Sequence, residues 1–409
     1  MAGELQCERV PEAPHRAGHS RQAGGPVAGP EEPVRASRAL DGRFTGGVGG
    51  AIIQEMTITR RAVVFATAAA GYSGAAAQDK PLRLAMLGTV GHPGEILSAL
   101  PKAPQVRLTA VSEDQPAIRA RLSRNRAMEG ARIYASAEEL LAKEEFDIAA
   151  VCNDNGARAG VSLACLRRGI PVIAEKPLAL NLQDLASLRA EVEQRGRKLT
   201  SLLKMRTDPW FLAIRRCVER GELGEVVQVS AQKSYKAMGG GDWRTRAENF
   251  GGTLPWIGID LIDLMRWTSG REFTEAATLQ NRIGFEAIGP VDNSVASLFR
   301  LDNGGMATLR IDYLRTPGAP THGDDRLRVA GTEGIAEYTA ATGVTLQRRG
   351  QAPVEVKELP EERSLFLEFL AHLEGGPAPV AYPDLFRSVE IALKAWESGK
   401  GGGLKPVRL

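Results

Sequence analysis

The chain has few cysteines, no long apolar run, no metal-ligand spacing and almost no charge excess. Four cysteines occur in 409 residues: Cys7 in an atypical N-terminal stretch, and Cys152, Cys165 and Cys217 inside apolar strand or helix patterns. That odd remainder excludes a disulfide framework and points to buried, inert thiols. A formal charge of +3 excludes a nucleic-acid stripe or a polybasic membrane patch. No apolar run reaches the roughly 18 residues needed to span a bilayer. Neither a His/Cys/Asp set with metal spacing nor a serine nucleophile motif is found. Small molecules are the expected partners, with no metal, no nucleic acid and no membrane span.

The first 77 residues contain no lysine at all but eight arginines, with frequent Gly, Pro and Ala and no apolar period. Met56-Thr57-Ile58-Thr59-Arg60-Arg61 opens a basic start, Ala62 to Ala76 is small and apolar, and Ala75-Ala76-Ala77 ends as an Ala-x-Ala cleavage site. Residues 56–77 resemble a twin-arginine export signal. The expectation is a periplasmic protein exported in folded form, or a cytoplasmic one if the signal goes unused. Met56 is the expected initiator, with residues 1–55 an unstructured upstream leader.

From Leu82 short apolar runs alternate with helical patterns: Leu84 to Leu87, Leu108 to Val111, Ile148 to Val151 and Val172 to Ala174, with helices at Glu138 to Lys143, Gly160 to Arg168 and Leu182 to Gln194. This predicts an α/β Rossmann domain over residues 78–200, a doubly wound parallel sheet covered on both faces. After helix Trp210 to Arg220 the period changes to two. Strands are expected at Val226 to Tyr235, Ala277 to Ile283, Val295 to Leu301 and Met306 to Leu314, and helices at Glu361 to Leu373 and Asp384 to Ser398. Residues 201–409 therefore read as an α+β domain with a largely antiparallel, open sheet.

Three segments carry chemistry. Gly88-Thr89-Val90-Gly91-His92-Pro93-Gly94 joins the first strand to a helix at Glu95 to Leu100, and glycine there lets backbone approach a pyrophosphate. Its spacing is G-x-x-G-x-x-G, not the usual G-x-G-x-x-G. Glu113 ends the second strand, where a carboxylate would accept hydrogen bonds from ribose hydroxyls and repel a 2′-phosphate, favouring NAD over NADP. Glu175-Lys176-Pro177 lies where an apolar strand empties toward the cofactor crevice of an open α/β sheet.

Together with the helical segment Gly251 to Trp267, these motifs resemble the glucose-fructose oxidoreductase, inositol dehydrogenase and MocA family (Gfo/Idh/MocA) of nicotinamide-dependent enzymes, over residues 82 to 409. The resemblance implies cofactor contacts at Gly88, Thr89, Gly91, Gly94, Glu113, Asn155, Glu175 and Lys176. Arg158 falls on a histidine of the family's Pro-Asn-x-x-His segment and could equally be a surface charge. Lys176 is implied to orient the reacting hydroxyl. The family reads Gly-Gly-Gly-x-x-x-Asp-x-Gly-x-His-x-x-Asp where this chain places Trp256 at the first acid and Asp260 at the histidine, and only Asp263 matches the last acid. Losing a general base typically costs 10² to 10⁴ in rate, about 3 to 5 kcal/mol. Asp260 could take the proton itself or hold the Lys176 ammonium in an ion pair. His322, on an expected loop from Pro320 to Arg326, is a second acid/base candidate. Trp256 offers a stacking face for a sugar, and Lys233, Tyr235, Lys236 and Arg244 could bind polyol hydroxyls or a carboxylate.

The expected function is hydride transfer between NAD, with NADP the alternative, and a hydroxyl-bearing carbon of a sugar, polyol or glycoside, on a retained and internally recycled cofactor. A dinucleotide- or sugar-binding protein without catalysis is the rival, and a glycosidase-like NAD enzyme a further one. Assembly as a dimer or tetramer through the open sheet is implied by the resemblance.

Overall fold

The computed structural model describes residues 80–237, 244, 246–283, 292–401 and 404–409. The expected leader and export signal, and the loop glycines Gly239 to Gly241, lie outside them.

Six parallel strands form the first sheet: β1 (Leu82–Leu87), β2 (Val106–Ser112), β3 (Arg132–Tyr134), β4 (Ile148–Val151), β5 (Val172–Ala174) and β6 (Leu199–Ser201). Their order, β3-β2-β1-β4-β5-β6, is doubly wound and reverses between β1 and β4. Dinucleotides bind at such a switch point, outside the carboxyl ends of the strands. The central strands are apolar along their length because both faces are covered, and Ala85–Leu87, Ile148–Val151 and Val172–Ala174 are fully buried. Polar caps fix the covering helices: Asp154 accepts from the Ala157 amide to start Asn155–Arg167, and Asn181 accepts from the Asp184 amide to start Leu182–Arg195, which ends at left-handed Gly196. The short β3 carries a polar, half-exposed sequence, which is why no apolar run betrays it.

The second sheet has nine strands: β7 (Val226–Lys236), β8 (Phe273–Asn281), β9 (Ser294–Leu301), β10 (Met306–Arg315), β11 (Gly323–Gly331), β12 (Gly334–Thr339), β13 (Gly343–Arg348), β14 (Val354–Glu355) and β15 (Val407–Arg408). The order is β14-β13-β12-β11-β7-β10-β9-β8-β15, antiparallel throughout except for the β7–β10 pair. Two expectations need correction. The strand expected to run to Ile283 ends at Asn281, and the segment read as a loop from Pro320 to Arg326 enters β11 at Gly323. Polar residues at the start of β11 hide its alternation, because their burial partners are charged rather than apolar.

Helix Ile259–Ser269 lies on the inner face of this sheet, between helix Pro209–Glu219 and helix Tyr382–Gly399. Arg206, just past β6, forks onto Asp263 of that helix at 2.6 and 2.7 Å, and Ser388 donates to the same carboxylate at 2.8 Å. The first sheet's exit is thereby fastened to the second sheet's central helix. The outer face stays open and carries exposed Leu279, Leu298, Met306 and Leu314. Cys152, Cys165 and Cys217 are all buried and unbonded to each other, and burial raises each thiol's pKa, that of Cys165 to about 12. Among the described residues no helix is long and apolar enough to cross a membrane.

Candidate active site

The turn after β1 is built so that only glycine fits at two positions. Gly88 has φ +89°, and a Cβ there would lie 2.5 Å from both the Asn153 Cα and the Cys152 carbonyl oxygen at the end of β4. At Gly91, φ +81°, it would lie 2.5 Å from a Glu175 carboxylate oxygen. Gly94 opens onto free space and helix Pro93–Ala99 follows. The turn thus lies flush against β4 and the β5 exit, leaving the strand ends open at the switch point. Beside it, buried Glu113 accepts from the Thr89 hydroxyl and, at 3.0 Å, from the Gln115 amide. Burial raises the Glu113 carboxyl's pKa against those bonds. These residues fit a dinucleotide: a backbone turn without side chains, and a carboxylate at the end of β2.

Glu175 is buried and accepts from the His92 amide, the His92 Nδ1 at 2.8 Å and the Lys176 amide at 3.0 Å. Burial works to raise its pKa, but the His92 bond and the charges of His92, Arg158 and Lys176 outweigh that and hold it below the ordinary carboxylate value. Arg158 is not a surface charge. It is buried and donates to the Asn155 side-chain oxygen at 2.8 Å, the Pro177 carbonyl at 3.0 Å and the Asn153 carbonyl, tying the β4 exit to the β5 exit. Asn155 in turn donates to the Phe250 carbonyl at 2.8 Å, so both ends of its amide are bonded within the protein.

Lys176 follows β5, and the bond to Pro177 is cis. Only 4 % of the residue is exposed. Its ammonium donates to the Trp256 carbonyl at 2.7 Å and lies 3.0 Å from Asp260 Oδ2. The carbonyl is available because Leu254–Gly258 forms a π-helical turn ahead of helix Ile259–Ser269; such turns displace carbonyls from the regular ladder and recur at functional sites. Of three ammonium donors two are thus directed. Asp260 is 8 % exposed, and its Oδ2 also lies 3.9 Å from the Lys233 ammonium. Of the two roles open to Asp260, the ion pair with Lys176 is formed.

The remaining candidates line the inner face of the second sheet. Lys233 and Tyr235 sit two apart on β7 and share a 2.8 Å hydrogen bond, while Asp325 of β11 lies 3.2 Å from the same lysine. His322 is exposed at the entrance to β11 with its ring 5.1 Å from that of Tyr235, whose hydroxyl is bonded to Lys233 beside Asp260. Trp256 is half-buried, edge-on to Phe250 at 5.1 Å, with the Lys176 ammonium 5.7 Å from its ring. Arg244 is half-buried. Sequence reasoning passed over Asp325, Thr253 and Asp292. The Thr253 amide donates to the Asp292 carboxylate at 3.2 Å beside the π-helical turn, and burial raises the pKa of that carboxyl. Period two on β11 could have exposed Asp325, since it faces Lys233 directly across the ladder. Among the described residues no group of three His, Cys, Asp or Glu could hold a metal ion.

Comparison with known proteins agrees with this geometry. Residues 82–202 match the model of an oxidoreductase family with an NAD-binding Rossmann fold, and residues 211–337 match the GFO/IDH/MocA C-terminal domain. A protein of Thermotoga maritima classed as an oxidoreductase superposes with a TM-score of 0.74 at 31% identity, over 80% of this chain and 100% of that one. Inositol 2-dehydrogenase 2 of Paenarthrobacter aurescens (strain TC1) is 26% identical over 258 residues, 61% of this chain and 75% of the relative. The WlbA dehydrogenase of Chromobacterium violaceum, solved with NADH and UDP-GlcNAcA, shares the fold at 19% identity and a TM-score of 0.67, over 81% of this chain and 97% of that one.

Proposed function

The chain belongs to the Gfo/Idh/MocA family of NAD-binding oxidoreductases, and we propose that it interconverts a carbinol and a carbonyl carbon of a sugar or polyol. One observation carries the reading: the buried Lys176 ammonium has two donors directed, onto the Trp256 carbonyl and Asp260, which leaves the third for a substrate oxygen. A nicotinamide, which the residues at the carboxyl ends of β1, β4 and β5 would hold, would supply the hydride acceptor or donor. Gly88, Thr89, Gly91 and Gly94 would border its pyrophosphate, Glu113 would take the adenosine ribose hydroxyls, and Glu175 would hold the turn in place through His92. Lys176 orients the reacting oxygen and lowers the cost of negative charge on it. Asp260, already paired, keeps the ammonium aimed, and the hydroxyl proton would leave through Asp260 or through His322, whose ring stands beside that of Tyr235. Trp256, Tyr235 and Arg244 would face the rest of the substrate.

Residues 56–77 support export by the twin-arginine route. Free NAD is scarce outside the cytoplasm, so the cofactor would fold in before export and be recycled by alternate oxidation and reduction. Mass spectrometry of native protein should then find NAD bound. Adding hexoses or inositols should change nicotinamide absorbance, and Lys176→Ala should lower that rate by about 10² to 10⁴ while NAD stays bound. Retained NAD with no absorbance change across the panel would instead support the binding-protein reading suggested by the missing histidine.

A further inference from the structure

Two lysines from different sheets reach the same oxygen of one aspartate. Lys176 approaches Asp260 Oδ2 to 3.0 Å from the end of β5, and Lys233 approaches it to 3.9 Å from β7. Lys233 is 3 % exposed, bonded to Tyr235 at 2.8 Å and to Asp325 at 3.2 Å. The four charges therefore alternate along a buried line: Lys176, Asp260, Lys233, Asp325. We propose that Lys233 is a positioning residue for the reaction, sharing the Asp260 carboxylate so that this aspartate aims Lys176 without drawing the ammonium away from the direction in which its third donor meets the substrate oxygen.

The physical case has three parts. A buried carboxylate with a single ammonium partner forms a pair that is costly to disturb, because either partner alone would be an uncompensated charge. A second ammonium at the same oxygen divides that attraction. Lys233 is suited to stay charged: burial opposes its charge, but Tyr235, Asp325 and Asp260 outweigh burial and raise its pKa above the ordinary lysine value. Finally, Lys233 bonds Tyr235, whose ring is tilted against His322, so the carboxylate is braced from the rim of the crevice as well as from its floor. The inference rests on the proposed hydride-transfer reading for its kinetic consequence, though not for its structural one.

Lys233→Met alone would leave Asp260 and Asp325 without their shared counter-ion, so the test uses the electroneutral pair Lys233→Met/Asp325→Asn with Asp325→Asn as control. Full-length mature protein is assayed for NADH formation with myo-inositol and a hexose panel, NAD⁺ affinity is measured by fluorescence, and the double variant's crystal structure is solved. A kcat at least tenfold below the control's, with KM and NAD⁺ affinity within about twofold, supports positioning; a kcat within twofold of the control's overturns it. If the wild-type protein turns over nothing, the hydride-transfer reading fails separately. The crystal structure then decides: Asp260 moved relative to Lys176 supports the inference, and an unchanged 3.0 Å contact overturns it.

Discussion

Glu175 shows how much one carboxylate does at the mouth of the crevice. It faces the Gly91 turn closely enough to exclude any side chain there, and although burial pushes its pKa up, the His92 side-chain bond and the charges of His92, Arg158 and Lys176 hold it below the ordinary value. A carboxyl depressed in the folded state contributes stability above its unfolded value, 4.5, and loses that contribution as pH falls through the folded value. Wild-type protein should therefore lead Glu175→Gln in urea midpoint at pH 7, and the lead should shrink as pH falls below 4.5; a gap that stays constant on acidification would overturn the assigned depression. Lys176, Glu175 and Glu113 were legible as site residues because a strand ending at a topological switch point must aim whatever follows it into the crevice. Arg158 was only half legible. Nothing in a helix's first turn tells whether an arginine turns outward or inward, and here the carbonyls of Asn153 and Pro177 draw it in.

The elements divide by how local their causes are. Four of the first sheet's six strands could be read to within two residues, since double-sided burial writes continuous apolar runs, while β3 and β6 were missed and the helix expected from Gly160 starts at Asn155. The π-helical turn at Leu254–Gly258 could not be read, because the displaced carbonyl answers a lysine 80 positions away. Asp263, the match to the family's last acid, takes a structural role through its fork with Arg206. Removing one partner of a buried ion pair commonly costs about 3 to 5 kcal/mol. Asp263→Ala should lower unfolding free energy by about that much in urea titration, with NAD⁺ affinity of the folded fraction unchanged; a loss below about 1 kcal/mol would show that the fork is not a structural tie.

At the scale of the molecule, the second sheet covers one face with helices and leaves the other bare. Exposed Leu279, Leu298, Met306 and Leu314 lie along adjacent strands of that bare face. Exposed apolar side chains on an uncovered sheet face mark association, and we propose that copies of the chain pair through it. Leu298→Asp with Met306→Asp should halve the mass seen by light scattering without changing the circular dichroism; an unaltered mass would place any interface elsewhere. The open sheet was foreseen from its period of two, whereas β11 to β13 were not, because their inward positions include charges that pair only once the sheet is assembled. The Lys176 contacts also reach beyond catalysis. Its partners Trp256 and Asp260 belong to the other half of the molecule, so a hinge that widened the mouth would have to break both ties. The ammonium proposed to aim the substrate is also one of the ties between the two domains.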